Sequence, residues 1–359
     1  MKKILFSAYS LDVGGIETAL VTLLNYLYKD YDITLVLEKK QGIFLKDLPK
    51  EINVITYTPS SIKFLLARKI INLFKQIKFK LKYKNKFDFA ADYATYSMPA
   101  SFVVRCASNN NAIWIHNNYM NFYDNNIKQY RNFFNKLKIN KFKKIVFVSE
   151  LDRKVFIAQF PELIKNTVVC NNLINYKRIE NLAQEKIDMN KDDVPTFLNV
   201  GRHDEKQKKI SRIINAAERL KKEGYKFKVL LVGKGIASKE YENAIKKKKL
   251  EENIILLGAK KNPYPYFKIS DCFILSSQFE GYPVVFVESQ VLNLPIITTD
   301  VSDSKKDIKG KFGIVVENSE NGVYKGMKEF LDKGIKTKKF NPEEYNQEIA
   351  EKVRKIIND

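Results

Sequence analysis

The sequence predicts an α/β protein made of two Rossmann-like, doubly wound domains. Three observations carry that prediction. The chain has 359 residues, enough for two domains at the usual ~100–200 residues each. It opens with a buried strand, a glycine turn, an amphipathic helix and a second strand, which is the first unit of a parallel doubly wound sheet. A second series of the same alternation starts afresh at Thr196.

Residues 3–9 read as a short buried strand, and the turn follows at Gly14-Gly15. Ile16, Leu20, Leu23, Leu24 and Leu27 then recur at helical spacing, ahead of a strand at Ile33–Leu37. Further strands are expected at 53–57, 87–93, 112–116 and 144–149. Between them, residues 61–84 read as a helical insertion. Its apolar side carries Ile62, Leu65, Leu66, Ile70, Leu73, Phe74, Ile77 and Leu81, and Lys63, Arg68, Lys69, Lys75, Lys78, Lys80 and Lys82 fill much of the remainder. A basic amphipathic helix of this kind suits an anionic membrane interface; the alternative is an apolar face packed on the sheet with solvated lysines.

Composition turns polar over residues 176–195, which reads as a linker ending at Pro195. The second series runs through a strand at 196–201, a helix at 211–223, a strand at 227–232, a helix at 238–248 and a strand at 253–257. A short helix at 264–269, a strand at 271–275, a helix at 284–292 and a strand at 295–298 follow, and a terminal helix is expected at 342–357. The expected domains are therefore 1–176 and 177–341, with 342–359 as a separate C-terminal helix.

Lys and Arg number 63 against 41 acidic residues, a formal charge of +22. Such a surplus favours an anionic partner, although a Lys-, Asn- and Ile-rich composition whose lysines only solvate the surface accounts for it equally well. Cys106, Cys170 and Cys272 are the only cysteines and lie far apart, so no disulfide framework or zinc site is expected and a reducing cytoplasm fits. With His116 and His203 as the only histidines, a multi-His metal centre is excluded. The short apolar run after Met1-Lys2-Lys3 lacks the length and cleavage site of a signal peptide. No stretch reaches the ~18 apolar residues that span a bilayer. The expectation is a cytoplasmic chain, soluble or peripheral on the inner face of the cell membrane.

The most informative segment is Ser276-Ser277-Gln278-Phe279-Glu280-Gly281-Tyr282-Pro283-Val284, continuing to Glu288. It follows an apolar strand, so it sits at a strand's carboxyl end, where open α/β sheets bind ligands. Gly281 gives a tight turn, and Pro283 suits the first turn of the next helix. The tip of that helix offers unpaired amides to a phosphate, and Glu280 and Glu288 can accept hydrogen bonds from hydroxyls on either side of it. A second segment, Gly201-Arg202-His203-Asp204-Glu205-Lys206-Gln207-Lys208, likewise leaves a buried strand. Its Arg and Lys suit a diphosphate, Arg as a planar fork and Lys as a point charge.

On these segments the chain resembles the family-4 retaining glycosyltransferases of the GT-B fold, also called glycosyl transferases group 1, along nearly its whole length. Gly201-Arg202…Lys208 matches the family's Gly-Arg…Glu-Lys loop and Gly233-Lys234-Gly235 its Gly-x-Gly turn. Glu280…Glu288, with seven residues between, matches its paired-carboxylate motif, and Asn293 to Asp300 its following loop and strand. The resemblance implies two Rossmann-like domains facing a central cleft, an acceptor-side domain first and a nucleotide-sugar domain second, with the terminal helix packing back on the first.

It also implies roles. Arg202 and Lys208 would hold the donor diphosphate, with Lys206 a rival because Gln207-Lys208 replaces the family's Glu-Lys and lies one residue farther from Arg202 than is common. Glu288 would bind the ribose, Glu280 the transferred sugar, and the amides of Gly281, Tyr282 and Val284 the phosphates and sugar. Leu257-Gly258-Ala259-Lys260 resembles the edge that receives the nucleobase. In the first domain, Val13-Gly14-Gly15-Ile16-Glu17 resembles the family's Gly-Gly loop, which puts Gly15 near the donor. His116, in Trp114-Ile115-His116-Asn117-Asn118, resembles a residue near the sugar.

The implied reaction is retaining transfer of a hexose or N-acetylhexosamine from a nucleotide diphosphate sugar to a glycan or lipid-linked glycan. Cell-envelope polysaccharide synthesis, such as capsule or lipopolysaccharide, is the expected setting. UDP leads, with GDP and ADP open. No cofactor and no metal are expected; the only Asp-x-Asp, Asp30-Tyr31-Asp32, lies at the wrong end of its strand. A sugar-nucleotide epimerase of the same fold is one alternative, disfavoured by the paired carboxylates. A basic nucleic-acid-binding protein is another, but no standard module signature appears, so no nucleic-acid partner is expected.

Overall fold

Buried strands rich in Ile, Val, Leu and Phe alternate with helices throughout the computed structural model, which describes residues 1–12, 14–191 and 193–359. Val13 of the Gly-Gly loop and Asp192 of the polar linker lie outside the described residues. Two units are formed, Met1–Leu173 together with Glu343–Asp359, and Ile174–Pro342.

The first unit contains β1 (Lys2–Ala8), α1 (Gly15–Leu27), β2 (Tyr31–Leu37), β3 (Asn53–Thr56), α2 (Leu65–Tyr83), β4 (Phe89–Asp92) and α3 (Met98–Ala107). It continues with β5 (Asn111–Ile115), α4 (Tyr119–Phe122), α5 (Ile127–Leu137), β6 (Lys144–Phe147), α6 (Glu150–Gln159) and β7 (Thr167–Val169). All pairings are parallel, in the order β3-β2-β1-β4-β5-β6-β7. Helices cover both faces of the central strands, which is why β4 and β5 are buried at every position.

The second unit contains α7 (Tyr176–Leu182), β8 (Thr196–Val200), α8 (Ser211–Lys222), β9 (Lys228–Val232), α9 (Ser238–Lys247), β10 (Ile254–Gly258) and α10 (Tyr264–Lys268). Next come β11 (Cys272–Leu275), α11 (Val284–Val291), β12 (Ile296–Thr299), α12 (Ser304–Asp307), β13 (Gly313–Val316) and α13 (Glu320–Lys333). The sheet is parallel in the order β10-β9-β8-β11-β12-β13. Strand order therefore reverses between β1 and β4 in one unit and between β8 and β11 in the other. Ligands of doubly wound sheets bind beyond the carboxyl ends of the strands at such switch points.

The last helix, α14 (Pro342–Asn358), contributes Ile349, Ala350, Val353, Ile356 and Ile357 to the core of the first unit. Asn110 Nδ2 donates to Ile357 O over 3.0 Å, and the Arg354 guanidinium pairs with Asp30 at 2.9 Å. Asp30 is thus held against the terminal helix at the amino end of β2.

Helix α2 corrects one of the two alternatives for residues 61–84. Its apolar stripe does not pack on the sheet. Phe79 and Tyr83 reach inward, with Phe79 5.2 Å from the ring of Tyr57, and Asn72 Oδ1 accepts from Ser60 N at 2.7 Å. Leu66, Ile70, Leu73, Phe74, Ile77 and Leu81 all face outward.

Candidate functional site

The loop after β8 is shaped by Asp204. Its Oδ1 accepts from Lys206 N at 3.0 Å and its carbonyl from Lys208 N at 2.7 Å, so the segment curls into a turn and returns Lys208 toward the sheet. Two glycines of the neighbouring loop let the backbones stack against this turn. A Cβ on Gly233 would lie 1.8 Å from Gly201 O, and one on Gly235 would lie 2.3 Å from His203 O. His203 is buried behind them, with Nδ1 2.9 Å from Ser238 Oγ, and burial lowers its pKa.

The loop after β11 docks on the same turn. Gln278 N donates to Gln207 O at 2.7 Å, and Ser276 Oγ to Lys208 O at 2.9 Å. Thr299 Oγ1, at the end of β12, fixes Ser277 O at 2.6 Å. The Glu280 carboxylate consequently meets three donors: Lys208 Nζ and Ser277 Oγ on Oε1, each at 2.6 Å, and Gln207 Nε2 on Oε2 at 3.2 Å. Glu280 is only 7% exposed. Arg202 sits at the mouth of this cluster, its side chain 67% exposed, with one guanidinium nitrogen 3.4 Å from Gln207 Oε1.

Glu288 lies in α11, buried, and is not brought to Glu280's donors. Its Oε1 accepts from the Tyr264 hydroxyl at 2.9 Å. Burial pushes its carboxyl up to about 7, against the smaller effect of the Tyr264 hydrogen bond. The tip of α11 lies between the two glutamates in sequence. Pro283 is the residue before the helix rather than part of its first turn, its φ of −66° and ψ of 115° are extended, and no side chain caps the helix. That leaves the first amides, including that of Val284, available to an anion. Gly281 is buried, and the Tyr282 ring stands 6.2 Å from Phe286. Gly258 ends β10 in the left-handed region at φ +68° and accepts from Gly233 N at 3.0 Å, while Ala259 beside it is exposed.

The structure thus brings Arg202, Lys208 and Glu280 together at the β8/β11 switch point, and places Gly258 and Ala259 at the end of β10 and Glu288 in the middle of α11, in the same unit. Of the two lysines, Lys208 is the one on Glu280. Gln207, which stands where the family's loop has Glu, Ser277 and Tyr264 complete the arrangement. Nothing in the spacing singles out Ser277 or Tyr264; only the fold brings a serine three residues before Glu280 onto its carboxylate.

Gly15 and His116 belong to the first unit. Gly15 is the first residue of α1, after Gly14, where a Cβ would fall 2.1 Å from Glu17 Oε2. His116 follows β5 with its ring 4.5 Å from Tyr93. Neither ring nitrogen has a hydrogen-bond partner among the described residues, and burial lowers its pKa to about 3, so the imidazole is neutral. Asp92, at the β1/β4 switch point, carries no local signal in the sequence. This carboxyl is buried, Oδ1 accepts from Ala94 N at 3.0 Å, Oδ2 has no partner among the described residues, and burial raises the pKa to about 8.

Two parallel doubly wound sheets, with a carboxylate and cations clustered at the switch point of the second, define an α/β protein of the doubly wound class with its polar cluster where such sheets bind ligands. Residues 180–355 match the sequence model of the family described as glycosyl transferases group 1. That segment belongs to the family, and the chain as a whole has the GT-B fold. A Campylobacter jejuni relative, N-acetylgalactosamine-N,N'-diacetylbacillosaminyl-diphospho-undecaprenol 4-alpha-N-acetylgalactosaminyltransferase, is 27% identical over 345 residues, covering 92% of this chain and 91% of its own. Uncharacterized glycosyltransferase MJ1059 of Methanocaldococcus jannaschii is 30% identical over 169 residues, and the match spans 46% of this chain and only 41% of that protein. Among solved structures, Anabaena Alr3699/HepE in complex with UDP and glucose superposes with a TM-score of 0.76 at 18% identity, over 99% of this chain and 100% of that one.

Proposed function

We propose that this glycosyltransferase moves a hexose or N-acetylhexosamine from a UDP-sugar to a glycan or lipid-linked glycan acceptor, with retention of anomeric configuration, in envelope polysaccharide synthesis. The observation that carries the reading is the Lys208–Glu280 pair at the β8/β11 switch point, with Arg202 at its mouth and the uncapped tip of α11 following Glu280. Support for UDP and for a lipid-linked acceptor comes from the UDP named with HepE and the diphospho-undecaprenol named with the Campylobacter enzyme.

In this reading the bond between the anomeric carbon and the diphosphate oxygen breaks as the acceptor hydroxyl forms the new glycosidic bond. The sugar passes through an oxocarbenium-like state, and negative charge grows on the leaving diphosphate. Arg202, Lys208 and the α11 amides are preorganised to meet that charge, and no metal is assigned to the task. The leaving phosphate takes the acceptor proton. Glu280 contacts the sugar, Glu288 the ribose hydroxyls, and the Gly258–Ala259 edge the base.

The test is incubation of the full chain with UDP-hexoses and UDP-N-acetylhexosamines plus polyprenyl-diphosphate-linked saccharides, followed by mass spectrometry and NMR of the product. An extended acceptor carrying an α-linked sugar is expected. A β-linked product from the α-linked donor, or an epimerised free sugar released without acceptor, would overturn the proposal.

A further inference from the structure

Helix α2 leaves the sheet between β3 and β4 and presents two unlike faces. The inward face is largely polar, with Asn72, Gln76 and Tyr83 beside the buried Phe79. On the opposite side Leu66, Ile70, Leu73, Phe74, Ile77 and Leu81 form a stripe at helical spacing, each between 44% and 83% exposed. At 1.5 Å per residue the stripe is about 22 Å long. Phe64, 68% exposed, extends it ahead of the helix. Continuous exposed apolar surface of this extent marks an interaction site rather than ordinary surface.

Charge identifies the occupant. Lys69 and Lys80 border the stripe along one edge, Lys78 and Lys82 along the other, and no acidic residue occurs between Glu51 and Asp88. Beside α2, on the edge that carries Lys80, a cavity of about 360 Å³ is lined by Arg105 and Lys138 as well. A second copy of this face would bring lysine against lysine, which electrostatic complementarity disfavours. Among the described residues no helix is long and apolar enough to cross a membrane. An apolar stripe flanked by lysines therefore suits a helix lying in the plane of an anionic bilayer, side chains in the acyl boundary and ammonium groups among the headgroups.

We infer that α2 docks the first unit onto an anionic lipid surface, with Leu66, Ile70, Leu73, Phe74, Ile77 and Leu81 as the inserted face. The inference stands on this surface alone and does not depend on the proposed transfer reaction.

The experiment is co-sedimentation of the full chain with phosphatidylcholine vesicles with and without phosphatidylglycerol, alongside light scattering without lipid. Wild type is expected to bind the anionic vesicles, more weakly as salt rises, and to leave neutral ones in solution. Leu73→Ser/Phe74→Ser should weaken binding at least about tenfold, from the apolar area withdrawn. Lys69→Gln/Lys78→Gln/Lys82→Gln should weaken it by about a hundredfold at low salt. Because these side chains are exposed, both variants should melt as wild type does. Wild type failing to bind anionic vesicles, or both variants binding undiminished, overturns the inference. So does a dimer that Leu73→Ser/Phe74→Ser abolishes and that anionic vesicles fail to dissociate.

Discussion

The ammonium of Lys208 lies 2.6 Å from Oε1 of Glu280, at the point where the loops after β8 and β11 meet. Both side chains are largely withdrawn from solvent, at 19% and 8% exposure. Removing one partner leaves the other charge under-compensated. Lys208→Met should cost up to about 3 kcal/mol of stability and lower kcat about 10²–10³-fold. In a cycle with Glu280→Gln, measured by urea unfolding, the double variant should recover part of the loss. Additive losses would show that the two side chains are not coupled.

Glu288 gives a pH dependence with a definite sign. Its folded pKa is about 7 against an ordinary 4.5, so its stabilising contribution is complete below pH 4.5 and is lost as pH rises to about 7. At about 1.4 kcal/mol per pKa unit, the window is worth up to about 3 kcal/mol. Glu288→Gln should flatten that part of the stability profile, read by thermal unfolding across the window. The proposed ribose contact adds a second readout. Nucleotide affinity should fall as pH drops below about 7 in wild type and hold constant in the variant.

Three glycines of the second unit separate two physical reasons for glycine. Gly233→Ala and Gly235→Ala drive a methyl group into the carbonyls of Gly201 and His203 and should each cost about 1–3 kcal/mol or more. Gly258 has φ +68° and open space around its missing Cβ, so Gly258→Asn should be tolerated within about 1 kcal/mol. Equal melting temperatures for all three would contradict the packing of the Gly-x-Gly turn on the Arg202 loop.

Asp92 titrates in the same direction as Glu288, from an ordinary 3.8 to about 8. Its contribution is present at low pH and disappears as pH climbs through that interval. The stability of Asp92→Asn relative to wild type should improve by more than about 2 kcal/mol between those limits, followed by chemical denaturation at each pH. A constant difference would show that Asp92 is ionised throughout.

Much of this was legible because period and punctuation agreed. Ile16, Leu20 and Leu24 mark α1 by spacing, and Thr196 to Val200 reads as a buried strand because a proline and a polar linker precede it. The Arg202–Lys208 and Glu280–Glu288 segments were legible because each leaves such a strand. Other elements were hidden for physical reasons. Strand β7 is three residues long, and α5 opens amid asparagines that read as loop. Helix α13 carries Gly322 and Gly326, which lower its propensity, yet a Cβ at Gly326 would stand 2.8 Å from Ile297 Cγ2, so close packing on β12 requires the glycine. The outward stripe of α2 could not be told from a core-facing one, because periodicity shows that a helix has an apolar side and not where that side points. Asp92 and Tyr264 have no local pattern; the fold alone makes one a buried carboxyl whose Oδ2 has no partner among the described residues and the other the partner of Glu288.

If the β8/β11 switch point binds a nucleoside diphosphate, isothermal titration of the full chain with UDP and with uridine will separate the two ligands. UDP should bind and uridine should bind at least about tenfold more weakly, because each charge-assisted hydrogen bond to the diphosphate is worth about 1.5–3 kcal/mol. Arg202→Ala, at a side chain already 67% exposed, should close most of that gap without lowering the melting temperature. Equal affinity for UDP and uridine, or UDP binding unchanged in Arg202→Ala, would contradict the account.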